Sequence, residues 1–245
     1  MIDPETLSPP QKPEKYPFWD WLDVAVMVAL ALPLILPLSP SGGVPQAPRA
    51  IPRDRAVAAI LLTFSFYAVW FMVLYALIRV RHGRPFWRSL AWVRPPRGFL
   101  NCAGWGLVLA VAAMVSSAVL RPPEIKSPLE DLLKDPASLM LIGVFGVTLG
   151  PMCEELIFRG FLMPLFVRSL GAAAGVLLSA APFALLHGFE YAWNWQRLAI
   201  IFLAGAAFGW MRQRSGSTLA ATVMHSVYNL IFFVLLLAQK QGMVH

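Results

Sequence analysis

Between Val57 and Ile78 the chain carries no charged side chain. A helix of roughly 17–25 mostly apolar residues is what a bilayer core requires, because every backbone N–H and C=O must be satisfied within the segment. Comparable runs recur at about Leu22–Leu38, Phe99–Leu120, Pro136–Met152, Ala172–Leu186, Leu198–Met211 and Leu219–Ala238. Composition agrees: 58% of residues are hydrophobic and 13% charged, with mean hydropathy +0.64, where a soluble domain carries about 25% charged residues. This excludes an ordinary soluble globule, a disordered chain and a solvated coiled coil. The run Phe161–Val167 either extends the fourth span or forms a short helix of its own. The pattern therefore predicts an all-α, polytopic transmembrane helix bundle of seven or eight spans.

Three parts are expected: a polar, Pro-rich tail over residues 1–21, transmembrane helices over 22–135, and a polar-centred transmembrane core over 136–245. The tail precedes the first apolar run and lacks the basic opening of a signal peptide. Net charge is +7. The basic residues lie mainly between apolar runs, which fits control of topology and contact with the bilayer and argues against nucleic acid as a partner. Arg79, Arg81, Arg84, Arg88, Arg94 and Arg97 fall in one loop, which the excess of positive charge assigns to the cytoplasmic side. The only cysteines, Cys102 and Cys153, sit in apolar surroundings and suggest neither a disulfide framework nor a zinc knuckle.

From Pro136 onward the only acidic residues are Glu154, Glu155 and Glu190, and the histidines are His187, His225 and His245. An ionisable residue at a transmembrane helix centre costs about 2.5–3.5 kcal/mol on insertion scales, so it needs a partner or a function. In Glu154-Glu155-Leu156-Ile157-Phe158-Arg159, helical spacing puts Glu155 and Arg159 on one face, where they can neutralise each other. Glu154 points about 100° away and is the unpaired carboxylate. Either a buried ion-pair pin or a catalytic base satisfies that pattern. His187 ends an apolar run that contains Phe183. His225 and Asn229 share a face of a later helix, which would suit interhelical hydrogen bonding as well as catalysis. Glu, His, His and Asn on three helices can meet only inside the bundle. There they would supply a base, a second base or ligand, and donors for a developing oxyanion.

The order E-E-x-x-x-R, F-x-x-x-H, H-x-x-x-N on apolar helices resembles the CAAX prenyl protease and bacteriocin-processing family of intramembrane endopeptidases, which includes abortive-infection-like members. The resemblance covers about Thr148–Phe232. It implies water activation by Glu154 with His187 beside it, and oxyanion stabilisation by His225 and Asn229. Glu155, Arg159 and Phe183 would give structural support. It also admits a metalloprotease variant in which Glu154, His187 and His225 would hold zinc. No H-E-x-x-H is present, so a glutamate-activated water is the favoured chemistry and the metal stays open. The substrate implied is a peptide or lipidated protein, reaching a cavity expected to open to the cytoplasm. A non-catalytic immunity or scaffold protein of the same family is the alternative. Presenilin-type aspartyl chemistry lacks its intramembrane Asp pair, and the rhomboid serine setting is absent. A proton relay through Glu154 and His187 would call for an inverted repeat, and none is evident. Tyr191, Trp193 and Trp195, beside Glu190, read as an interfacial belt.

Overall fold

A computed structural model describes residues 16–35, 53–123, 136–240 and 242. The Pro-rich stretch before Tyr16 and the acidic run Glu130–Asp135 lie outside the described residues. Among those described, every regular element is a helix. They are α1 (Trp21–Ile35), α2 (Arg53–Ala76), the turn α3 (Phe86–Ser89), α4 (Gly98–Leu120), α5 (Pro136–Val147), α6 (Leu149–Glu155), α7 (Met163–Leu170), α8 (Ala172–Leu186), α9 (Trp195–Ser215) and α10 (Thr218–Lys240). Wide π-helical turns extend α2 over Leu77–Arg81 and join α6 to α7 over Leu156–Leu162.

Among the described residues, four stretches are long and apolar enough to cross a membrane: Leu62–Arg81, Gly98–Leu120, Pro136–Leu170 and Thr218–Lys240. Large apolar side chains such as Leu100, Val119, Met72 and Val80 are exposed on them, as lipid-facing residues should be. The chain is an integral, multi-pass membrane protein. The expected count of seven or eight spans is not shown, for reasons of length and polarity. Helix α8 has 15 residues, about 22 Å at 1.5 Å per residue, short of a hydrocarbon core of about 30 Å. The described part of α1 is equally short. Helix α9 is long enough but carries Arg197, Arg212 and Arg214. The Phe161–Val167 run belongs to the fourth stretch, a single path of 35 residues. That path breaks once, at Thr148 (φ −120°, ψ −76°). Pro151 offers no N–H to the Val147 carbonyl, which weakens the helix at this break.

The arginine-bearing ends of the helices are tied together. Ser217 Oγ donates to the Val93 carbonyl, and Thr218 Oγ1 and N–H donate to Leu90 and Ala91 carbonyls at 2.6 and 2.9 Å. The entry of α1 joins them. Asp23 pairs with Arg81 and His82 at 3.0 Å each. Trp19 Nε1 donates to the Phe161 carbonyl at 2.9 Å, and Arg168 donates to the Pro17 carbonyl at 2.6 Å. Leu90, Trp19, Ala220 and Ala221 are fully buried there. This end of the bundle is closed by packing, and it sets the depth at which the polar residues of α6, α8 and α10 come together.

Candidate active site

Glu155 and Arg159 are 0% exposed and pair at 3.0 Å, as their spacing predicts. The pair does more than neutralise itself. Arg159 Nη2 donates to the Gly205 carbonyl of α9 at 2.6 Å. Its guanidinium lies over the Phe183 ring, with Cζ 4.5 Å from the centroid. Glu155 Oε1 also accepts from His225 Nδ1 at 3.0 Å. One carboxylate thus fastens α6 to α10, and through Arg159 to α8 and α9. A side chain at position 205 would not fit, since a Cβ there would lie 2.9 Å from Phe183 Cδ1 and 3.0 Å from Arg159 Nη2.

The orientation of both histidines follows. A carboxylate can only accept, so Nδ1 of His225 carries the proton and Nε2 faces the cavity, 3.8 Å from Glu154 Oε2. Phe208 stacks on the His225 ring with centroids 4.3 Å apart, and Phe183 meets it edge-on at 5.8 Å. His187 Nδ1 donates to the Phe183 carbonyl at 2.9 Å. In the neutral ring its Nε2 then holds the lone pair. Asn229 spends one N–H on the Gly146 carbonyl at 2.7 Å and keeps its other N–H and its Oδ1.

Glu154, His187, His225 and Asn229 all line a single cavity of about 490 Å³. The residues that the pattern singled out are therefore brought together, with Glu154 half-buried and His225 buried. Several lining residues were not singled out. The Tyr67 hydroxyl of α2 donates a short hydrogen bond to Glu154 Oε1, so the N-terminal half of the chain also contributes. Glu190, Tyr191 and Arg197 line the same cavity, which corrects the reading of Tyr191, with Glu190 beside it, as part of an interfacial belt. Only Trp193 and Trp195 of that group are well exposed.

The turn between α8 and α9 explains this placement. Ala192 and Trp193 both adopt positive φ, at 47° and 56°, a conformation L-residues rarely hold in succession. Trp193 folds back so closely that a Cβ on Gly188 would sit 2.6 Å from its ring. The chain reverses tightly enough to turn Glu190 and Tyr191 inward. Burial raises the Glu190 carboxyl above its ordinary range, against the pull of His187. Burial followed by the Glu190 charge pushes the Tyr191 phenol upward.

The donors do not suit a resident zinc ion. Among the described residues no three His, Cys, Asp or Glu side chains gather closely enough to hold a metal. Tyr67 occupies Glu154 Oε1. The expected set Glu154, His187 and His225 is therefore a cavity lining and not a chelate.

No curated protein and no solved structure matches the chain. Residues 136–231, which supply Glu154, His187, His225 and Asn229, match the family model described as Type II CAAX prenyl endopeptidase Rce1-like, and that stretch is a domain of this family.

Proposed function

We propose that the chain is an intramembrane endopeptidase that hydrolyses a peptide bond with a water activated by Glu154. The observation that carries the reading is the convergence of Glu154, His187, His225 and Asn229 on one cavity. Glu154 takes a proton from the water, and His187 Nε2 accepts a hydrogen bond from the water's other hydrogen. The resulting hydroxide attacks the scissile carbonyl. The oxyanion that forms accepts from the spare N–H of Asn229 and from Nε2–H of protonated His225. The proton held by Glu154 passes to the leaving amine as the C–N bond breaks.

Phe208 and Phe183 wall off one side of His225, which keeps water away from the imidazole and strengthens its charge-assisted bonds. Tyr67 holds the carboxylate of Glu154 so that Oε2 faces His225. The substrate is a peptide segment at the membrane, lipidated or not.

The test is cleavage of a panel of prenylated and unmodified fluorogenic peptides by the protein purified in detergent. Glu154→Gln should abolish turnover, and Asn229→Ala should lower kcat by about 100- to 1000-fold, the usual cost of an oxyanion donor. Wild-type turnover by Glu154→Gln would overturn the assignment. A folded wild type that cleaves nothing in the panel would favour the non-catalytic scaffold.

A further inference from the structure

The cavity and the arginine cluster occupy opposite ends of the bundle. On α2, Thr63 lines the cavity, while Arg81 closes the π turn that extends the same helix, about 27 Å further along its axis. On α4, Ser117 lines the cavity and lies about 30 Å from Arg97 at the start of that helix. Pro122, Glu190 and Arg197 also line it, each in or beside a connection at the end away from Arg97. Arg197 reaches across this mouth to the Pro123 carbonyl at 3.2 Å. In the other direction the cavity ends on Phe183, Phe208 and His225. Beyond them stand the buried Leu90, Met211, Ala220 and Ala221. The hydrogen bonds of Ser217 and Thr218 to the Leu90–Val93 segment seal that end.

The charges distinguish the ends. The closed end gathers the arginines from Arg79 to Arg97, joined by Arg168 at the end of α7, and Arg212 and Arg214 at the end of α9. The open end holds, among the described residues, Arg53, Arg55, Arg121, Arg197 and Lys240. The end richer in Lys and Arg faces the cytoplasm.

We propose that the cavity opens away from the cytoplasm, so that its substrates are peptide segments exposed on the extracytoplasmic face. This reverses the orientation of the cavity expected from sequence. The substrate class rests on the peptidase reading; the orientation does not. A prospective substrate then needs its scissile bond exported, or lodged in the outer half of the bilayer. The arginine end would serve as the anchored, closed base.

The experiment is cysteine accessibility in intact bacterial cells producing the full chain, with a membrane-impermeant maleimide as the probe. Ser117→Cys places a thiol in the cavity and Arg94→Cys places one on the arginine end. The native Cys102 and Cys153 are buried, so the unsubstituted chain is the background. Labelling of Ser117→Cys with protection of Arg94→Cys, and labelling of both after permeabilisation, is the result expected. The reverse pattern, or equal labelling of both in intact cells, would overturn the proposal. So would a Ser117→Cys thiol that stays unreactive after permeabilisation, since the cavity would then not be open to water. The readout does not depend on turnover. Peptide cleavage that survives in Glu154→Gln would remove the protease mechanism and leave the orientation standing.

Discussion

Replacing Arg159 by Met keeps most of the side-chain volume and removes the guanidinium from a fully buried position. Three contacts are lost: the 3.0 Å pair with Glu155, the 2.6 Å bond to the Gly205 carbonyl, and the guanidinium's place over the Phe183 ring. Glu155 then keeps only His225 on Oε1, and its Oε2 already lacks a protein partner. Stranding one member of a buried pair costs about 3–5 kcal/mol. That corresponds to roughly two to nearly four powers of ten in the folded-to-unfolded ratio. Glu155→Leu should cost a similar amount, because it strands Arg159. The double variant strands neither charge. It leaves the Gly205 carbonyl and the His225 Nδ1–H unpaired, at about 1–3 kcal/mol each. The double should therefore lose far less than the sum of the singles, about 6–10 kcal/mol. The assay is denaturant unfolding in mixed micelles, followed by tryptophan fluorescence and read as a double-mutant cycle. Strictly additive losses would refute the idea that the two charges stabilise each other. Turnover separates the roles: Glu155→Leu should stay inactive with or without Arg159→Met, because His225 loses its orienting acceptor in both.

Tyr67→Phe removes a hydrogen bond to a carboxylate, worth about 1.5–3 kcal/mol. kcat/KM should fall by about 10- to 150-fold, and an unchanged value would remove Tyr67 from the site. Glu190→Gln should raise thermal stability in a pH-dependent way. The folded-state carboxyl is raised, so wild type loses stability as pH climbs through that raised value. The gain in the Gln variant should be present at alkaline pH and vanish below the ordinary carboxylate range. A gain that grows towards acid would contradict the burial of Glu190. Dialysis against a strong zinc chelator should leave peptide cleavage intact, because the cavity carboxylate and imidazoles do not form a chelate. Loss of cleavage restored by added zinc would overturn that reading.

The ionisable residues were legible because charge in an apolar run stands out: Glu154, Glu155, Arg159, His187 and His225 could be picked from the sequence, and all lie in or beside the cavity. Their partnerships were only half legible. Helical spacing paired Glu155 with Arg159, but nothing local indicates that His225, from α10, shares the same oxygen. Tyr67 gave no signal, since tyrosine is common in apolar helices and its partner is far along the chain. Glu190 and Tyr191 were misread because their neighbours Trp193 and Trp195 do face outward. The difference comes from two successive left-handed residues that reverse the chain. The number of spans was hard to read because hydropathy registers apolar character but does not show where a helix such as α8 stops.

The wide turn over Leu156–Leu162 has a consequence for how the carboxylates relate to the rest of their helix. A π turn accommodates more residues per revolution than an α-helix. The two ends of the Pro136–Leu170 path are therefore out of phase with an ideal α-helix drawn through both. Relaxing the turn to α geometry with no residue removed would leave the hydropathy and the motif letters unchanged. It would also rotate everything before the turn by about 100° relative to α7. With α7 still anchored against α8, Glu154 would leave the cavity wall. The span acts as a phase device, in which the angular setting of the catalytic candidate is stored in the winding of a segment that carries Arg159 but no catalytic candidate.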